Sequence, residues 1–196
     1  MRNTAAALFG ASLILCGLTG AAMAEPISGK DAKKMVFSAK GAEVEMLPVD
    51  GLSAENAALL LQVIQDYAYY AAVAIAPDEE LLKSEATILV ANHHSAEAAA
   101  AAALEGCNKA RLGEKDCVLV GLVRPKKWEQ RALQLSVEGT VALKNDYGKK
   151  GERAMAISAK TGFFGLGNGE NAQALATKAC TDKGADDCEV AVADAK

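Results

Sequence analysis

Histidine is nearly missing from this chain. There are 2, and they are neighbours, His93 and His94, so acid–base or imidazole–metal chemistry near neutral pH has one address. A basic excess is missing too: 21 Lys and Arg stand against 25 Asp and Glu, a net charge of −4. With no basic amphipathic stretch either, the composition argues against nucleic acid or an anionic membrane surface as a partner. No G-x-S-x-G elbow is present, so the serines lack the setting of a hydrolase nucleophile. After the N-terminal segment no apolar run approaches the roughly 20 residues that cross a bilayer, so no stable membrane insertion is expected.

What is present begins with a targeting signal. Met1-Arg2-Asn3 is a basic n-region, Ala5 to Leu18 an apolar h-region, and Ala22-Met23-Ala24 an A-x-A cleavage site. Leu15 before Cys16 stands where a lipoprotein signal needs a small residue. The expectation is an exported chain, periplasmic or extracellular, cleaved after Ala24. Of the 5 cysteines, Cys16 leaves with the signal, and Cys107, Cys117, Cys180 and Cys188 remain. Four cysteines in an oxidising compartment read as two disulfides, with three connectivities possible. The local pairs Cys107–Cys117 and Cys180–Cys188 are favoured because each would then close within its own stretch of chain. A zinc site is the competing reading, and the spacing does not suit a C-x2-C knuckle.

These cysteines sit in two parallel contexts. In each, a helix of small residues ends at a cysteine, a polar loop follows, and Asp-Cys opens an apolar strand (Asp116-Cys117 and Asp187-Cys188). Upstream, Ala72-Val-Ala-Ile75 matches Ala154-Met-Ala-Ile157, and Leu52-Ser53 matches Leu135-Ser136. The pattern predicts an internal duplication of about 75–85 residues, each copy strand-helix-strand-strand-helix-strand with one disulfide. The fold class is then α+β. The expected divisions are an N-terminal arm over 25–41, either irregular or holding a short helix around Asp31–Phe37, a first repeat over 42–123 and a second over 124–196. Within the second, the segment from Gln130 to Leu135 is the predicted first strand.

The order Ala-x-Ala-Ile, hairpin, alanine-rich helix ending in Cys, then Asp-Cys-x-Val resembles a family of small exported bacterial domains of unknown function, over roughly 68–123 and 152–193. That family carries no known catalytic residues, so the resemblance implies none here. The whole chain also resembles short exported proteins sometimes named 5-aminolevulinate synthase. That name implies a pyridoxal-phosphate enzyme about twice as long, with a Schiff-base lysine and a carboxylate on the pyridinium nitrogen. The residues offer no such constellation: Lys160, in Ser-Ala-Lys-Thr-Gly, reads as a turn lysine.

Each remaining candidate has a functional and a plain reading. His93 and His94 suit a metal or an acid–base pair, with Glu85 or Glu97 as carboxylates. Adjacent residues in an extended segment point to opposite sides, which favours polar loop positions instead. Gly165-Leu-Gly-Asn-Gly169 lies between a strand and a helix, where glycines can cradle phosphate. Its spacing departs from G-x-G-x-x-G, and a tight turn is the plainer use. Asp182, Asp186 and Asp187 could hold calcium or form a solvated acidic loop, and the EF-hand spacing is missing. Trp128, beside Lys126 and Lys127, could stack on a sugar or partner, or cover the junction between halves. No catalytic residue, metal or cofactor is assigned. The expected function is a non-catalytic binding or cell-envelope structural module with an unknown protein or small-molecule partner, and the alternative is a small enzyme or metal-binding protein using His93 and His94.

Overall fold

Alanine decides how closely helices lie on sheets here. In a computed structural model that describes residues 25–195, Ala74 and Ala72 of one sheet and Ala154 and Ala156 of another are fully buried. Each faces a helix that is itself alanine-rich. A methyl against a methyl lets a helix axis approach a sheet closely, while alanine keeps the highest helix propensity.

The chain forms five helices and seven strands: α1 (Gly29–Met35), β1 (Ala42–Met46), α2 (Ala54–Ile64), β2 (Ala71–Ile75), β3 (Ile88–Val90), α3 (Ala96–Ala110), β4 (Val118–Pro125), α4 (Val137–Asn145), β5 (Arg153–Ser158), β6 (Phe164–Asn168), α5 (Ala172–Thr181) and β7 (Cys188–Asp194). This is an α+β fold with two antiparallel sheets, ordered β1-β4-β2-β3 and β6-β5-β7. Helix α3 packs on β2, β3 and β4, and α5 packs on β6, β5 and β7. Serine oxygens at Ser53, Ser95 and Ser136 cap α2, α3 and α4 by accepting an N–H three residues on, the local signal that starts each helix.

Both local disulfides are present, Cys107–Cys117 and Cys180–Cys188, each with Cα atoms 6.0 Å apart. Each ties the last turn of α3 or α5 to the start of β4 or β7. The irregularities of the two sheets also coincide. In the first, Val73 pairs Gly121 and Ala74 pairs Leu119, which leaves Val120 as a bulge. In the second, Met155 pairs Val192 and Ala156 pairs Val190, leaving Ala191. Each bulged residue is the third after its cysteine, and each accepts an N–H from outside the strand pair: Leu47 to Val120 at 3.0 Å, Ile27 to Ala191 at 2.9 Å.

One expected strand is not formed. Residues 130–135 make no ladder, although Leu133 and Leu135 are buried. The β7 edge is met instead by Ile27, in a single parallel bridge to Val192. From that bridge α1 crosses to α4, and Ala32 and Val36 enter a core with Leu135, Leu143, Tyr147 and Met155. Residues 27–36 therefore pack as part of the second half. Helix α3 also runs past Cys107 to Ala110, its last turn closed by the Arg111 N–H donating to the Cys107 carbonyl at 2.9 Å, and Asn108 Oδ1 accepts the Cys117 N–H at 3.1 Å. The signal segment 1–24 lies outside the described residues.

The loop between Cys107 and Cys117 is held by two carboxylates from the β2–β3 connection. Glu79 accepts the N–H groups of Leu112 and Gly113 at 2.7 and 2.8 Å, and Asp78 those of Glu114 and Lys115 at 2.9 and 3.1 Å. Backbone bonds from Lys115 and Glu114 lower the Asp78 pKa, and Ser84 with the Gly113 and Leu112 amides lowers that of Glu79. Glu79→Gln should therefore speed amide exchange at Leu112 and Gly113 and leave β2 protected, as measured by hydrogen exchange. Removing one bridge, as in Cys180→Ala with Cys188→Ala, should cost about 2–3 kcal/mol in urea unfolding.

Candidate functional site

The two histidines lie at the joint between the halves. Asn92, at a left-handed φ of 60°, turns the chain from β3 toward α3, and His94 follows it into the interior at 3% exposure. The Ser136 N–H at the start of α4 donates to His94 Nδ1 at 3.0 Å, and Nε2 lies 3.0 Å from the Phe163 carbonyl. An amide can only donate and a carbonyl can only accept, so the ring is the neutral tautomer with hydrogen on Nε2. Burial pushes its pKa down to about 4, against the weaker upward pull of the Phe163 bond.

Backbone contacts reinforce the joint. The His94 N–H donates to the Thr161 carbonyl at 3.2 Å, and the Glu138 N–H to Asn92 Oδ1 at 3.3 Å. Gly162 lies so close to the Asn92 carbonyl that an added Cβ would overlap it. His93 takes the other direction: its Nδ1 is 3.2 Å from the Ala91 carbonyl, and burial lowers its pKa. Glu85 and Glu97 are exposed, and among the described residues neither hydrogen-bonds to a histidine ring. The arrangement gives His94 a structural task with both nitrogens engaged, and among the described residues no carboxylate hydrogen-bonds to either ring.

The other candidates are also accounted for by packing. Gly165 and Gly167 are on β6, not in the turn, with backbone atoms of α5 where their Cβ atoms would stand. The glycine run thus serves close helix-on-strand contact, and only Gly169, at φ 78°, serves the turn. The acidic loop is divided among separate partners. Asp182 pairs with Lys178, Asp186 with Lys160, and Asp187 accepts from Ser158 Oγ at 2.6 Å and the Lys160 N–H at 3.0 Å. Among the described residues no group of three or more His, Cys, Asp or Glu is placed to hold a metal ion. Trp128 is half-buried against the first core, with Nε1 donating to Gln134 at 3.0 Å and the Arg124 guanidinium 4.7 Å from its ring centre.

No family model, curated protein or solved structure matches this chain. Lys160 does not have the setting of a Schiff-base lysine. This side chain is 68% exposed on the β5–β6 turn, and Asp186, 3.2 Å away, raises its pKa. A Schiff-base lysine needs the opposite, a desolvated amine with its pKa lowered.

What is open is a groove of about 430 Å³ on the face of the second sheet away from α5. Its floor is Ile27, Leu133 and Ile157, and Glu25 and Glu189 stand at its rim. Ala132 and Ala159 at its mouth are exposed. The groove was not legible in the sequence, because its lining comes from four separate segments. The only hint was the alternation of β5, which sends Ile157 to the side opposite Ala156.

Proposed function

We propose that the chain is an exported, disulfide-clipped, non-catalytic binding module that presents the Ile27–Leu133–Ile157 groove to its ligand. The observation that carries this reading is the engagement of His94 by Ser136 and Phe163. The residue type best suited to chemistry near neutral pH is spent on holding the halves together. The groove, by contrast, combines an apolar floor with a few charged groups, the composition of a ligand site. Export and a periplasmic or extracellular setting are supported by the A-x-A signal at Ala22–Ala24 and by both disulfides. No helix among the described residues is long and apolar enough to cross a membrane. The same reading takes the halves as copies of one ancestral unit, supported by matching bulges at Val120 and Ala191.

The test is complementation of a deletion strain of the host organism. Ala132→Trp fills the groove from an exposed position and should fail to restore the wild-type phenotype while keeping the melting temperature. His93→Asn should restore it. The reverse pattern would favour a small enzyme built on His93.

A further inference from the structure

Resting on that reading of the groove, we propose that its ligand is an extended segment of a partner polypeptide, carrying a basic residue between apolar ones, which adds as a strand to the free edge of β7. In the second sheet β7 is an outer strand. Ile27 bridges it at Val192, donating its N–H to the Ala191 carbonyl and accepting the Ala193 N–H. Ahead of that bridge Cys188, Glu189 and Val190 pair with β5 on one side, and the groove lies along the other. Outward backbone groups without a partner among the described residues, next to an apolar cavity, are a setting for strand addition: main-chain bonds supply affinity, and alternate side chains fill pockets.

The chemistry of the segment follows from register and charge. Glu189 pairs directly with Ile157, so both project to the groove face, where successive groove-facing side chains of an added strand would be two residues apart. An apolar side chain then meets Leu133, and a cation meets Glu189. Asp187 adds negative charge at the same end, held ionised by Ser158 and the Lys160 amide despite its partial burial. The same charges disfavour a second copy as the occupant. Pairing two β7 edges would set Glu189 beside its own counterpart, the device by which proteins keep open edges from self-association. A basic strand escapes that repulsion.

The experiment titrates the mature full chain, 15N-labelled, with the peptide acetyl-Val-Thr-Lys-Thr-Val-amide. Saturable amide shifts confined to Ile27, Leu133, Ile157 and the 188–191 segment are expected. Replacing the central lysine by glutamate, or N-methylating its backbone, should abolish them, and Glu189→Lys should weaken binding at least about fivefold, the scale of one exposed charge contact. No saturation up to about 10 mM, the weak limit for a short peptide, would overturn the proposal. So would binding indifferent to N-methylation, which would indicate an apolar ligand, or binding indifferent to the lysine. If the peptide fails while Ala132→Trp still abolishes complementation, strand addition is wrong and the groove reading stands. If Ala132→Trp complements, the proposal falls with the reading it rests on.

Discussion

Replacing His94 with alanine should destabilise the protein by on the order of 4 kcal/mol, from a lost buried ring and two stranded backbone groups. The Ser136 N–H and Phe163 carbonyl would be left inside the joint without their partner. Because these groups belong to α4 and to the β5–β6 hairpin, the loss should appear as separation of the halves, with amide exchange rising first at 136–140 and 161–164. Urea unfolding gives the magnitude and hydrogen exchange gives the location. His93→Ala, which removes a half-buried ring with one contact to its own segment, should cost far less.

The same residue sets a pH dependence. The His94 pKa is about 4 in the folded chain, against 6.5 for the free side chain. Between those values the unfolded state binds the extra proton, so stability must rise with pH through this window. The His94 contribution is complete above about pH 6.5 and is lost as pH falls toward 4, amounting to on the order of 3 kcal/mol. Asp78, Glu79 and Asp187, whose pKa values are lowered, add their own losses at the acid end. Those carboxylates remain in His94→Ala, so the difference between the two stability–pH curves isolates the imidazole.

Gly167→Ala is the second large effect. Its new Cβ would overlap the carbonyl of Ala172 and crowd the backbone of Ala176. Backbone inside α5 cannot turn aside as a side chain can, so the helix must lift off β6. The cost should exceed about 4 kcal/mol, the range reserved for severe packing faults, and Gly165→Ala should behave alike, against Ala176 and Cys180. Gly169 provides the control. Nothing lies within 4 Å of its added Cβ, and its φ is 78°, so Gly169→Ala should cost only about 1–2 kcal/mol for the left-handed backbone. Thermal or urea unfolding of the three variants would show the contrast. A phosphate-cradling loop would instead leave stability nearly unchanged at Gly165 and Gly167.

Much of the architecture was legible because it is written in local pattern. The Ala-x-Ala-Ile strands and both cysteine pairs are short-range signals, and each appears where the sequence predicts it. Three things were not. The segment 130–135 has the leucines of a strand, yet it is Ile27, more than a hundred residues away, that bridges β7. The glycines around Leu166 read as a turn, because nothing in one sequence reveals that α5 lies against them. The burial of His94 was hidden by its polar neighbours Asn92, His93 and Ser95, since the groups that satisfy its ring come from Ser136 and Phe163. In each case the missing information is a long-range backbone contact, to which side-chain periodicity is blind.

The most direct test follows the imidazole 15N resonances of the mature protein from pH 3.5 to 8, with and without equimolar zinc. His94 is expected to stay neutral, protonated on Nε2, down to about pH 4, and to be undisturbed by zinc. A His94 ring that titrates above pH 6, or zinc shifts shared by both histidines, would contradict that expectation and move the search for function from the groove to the histidine pair.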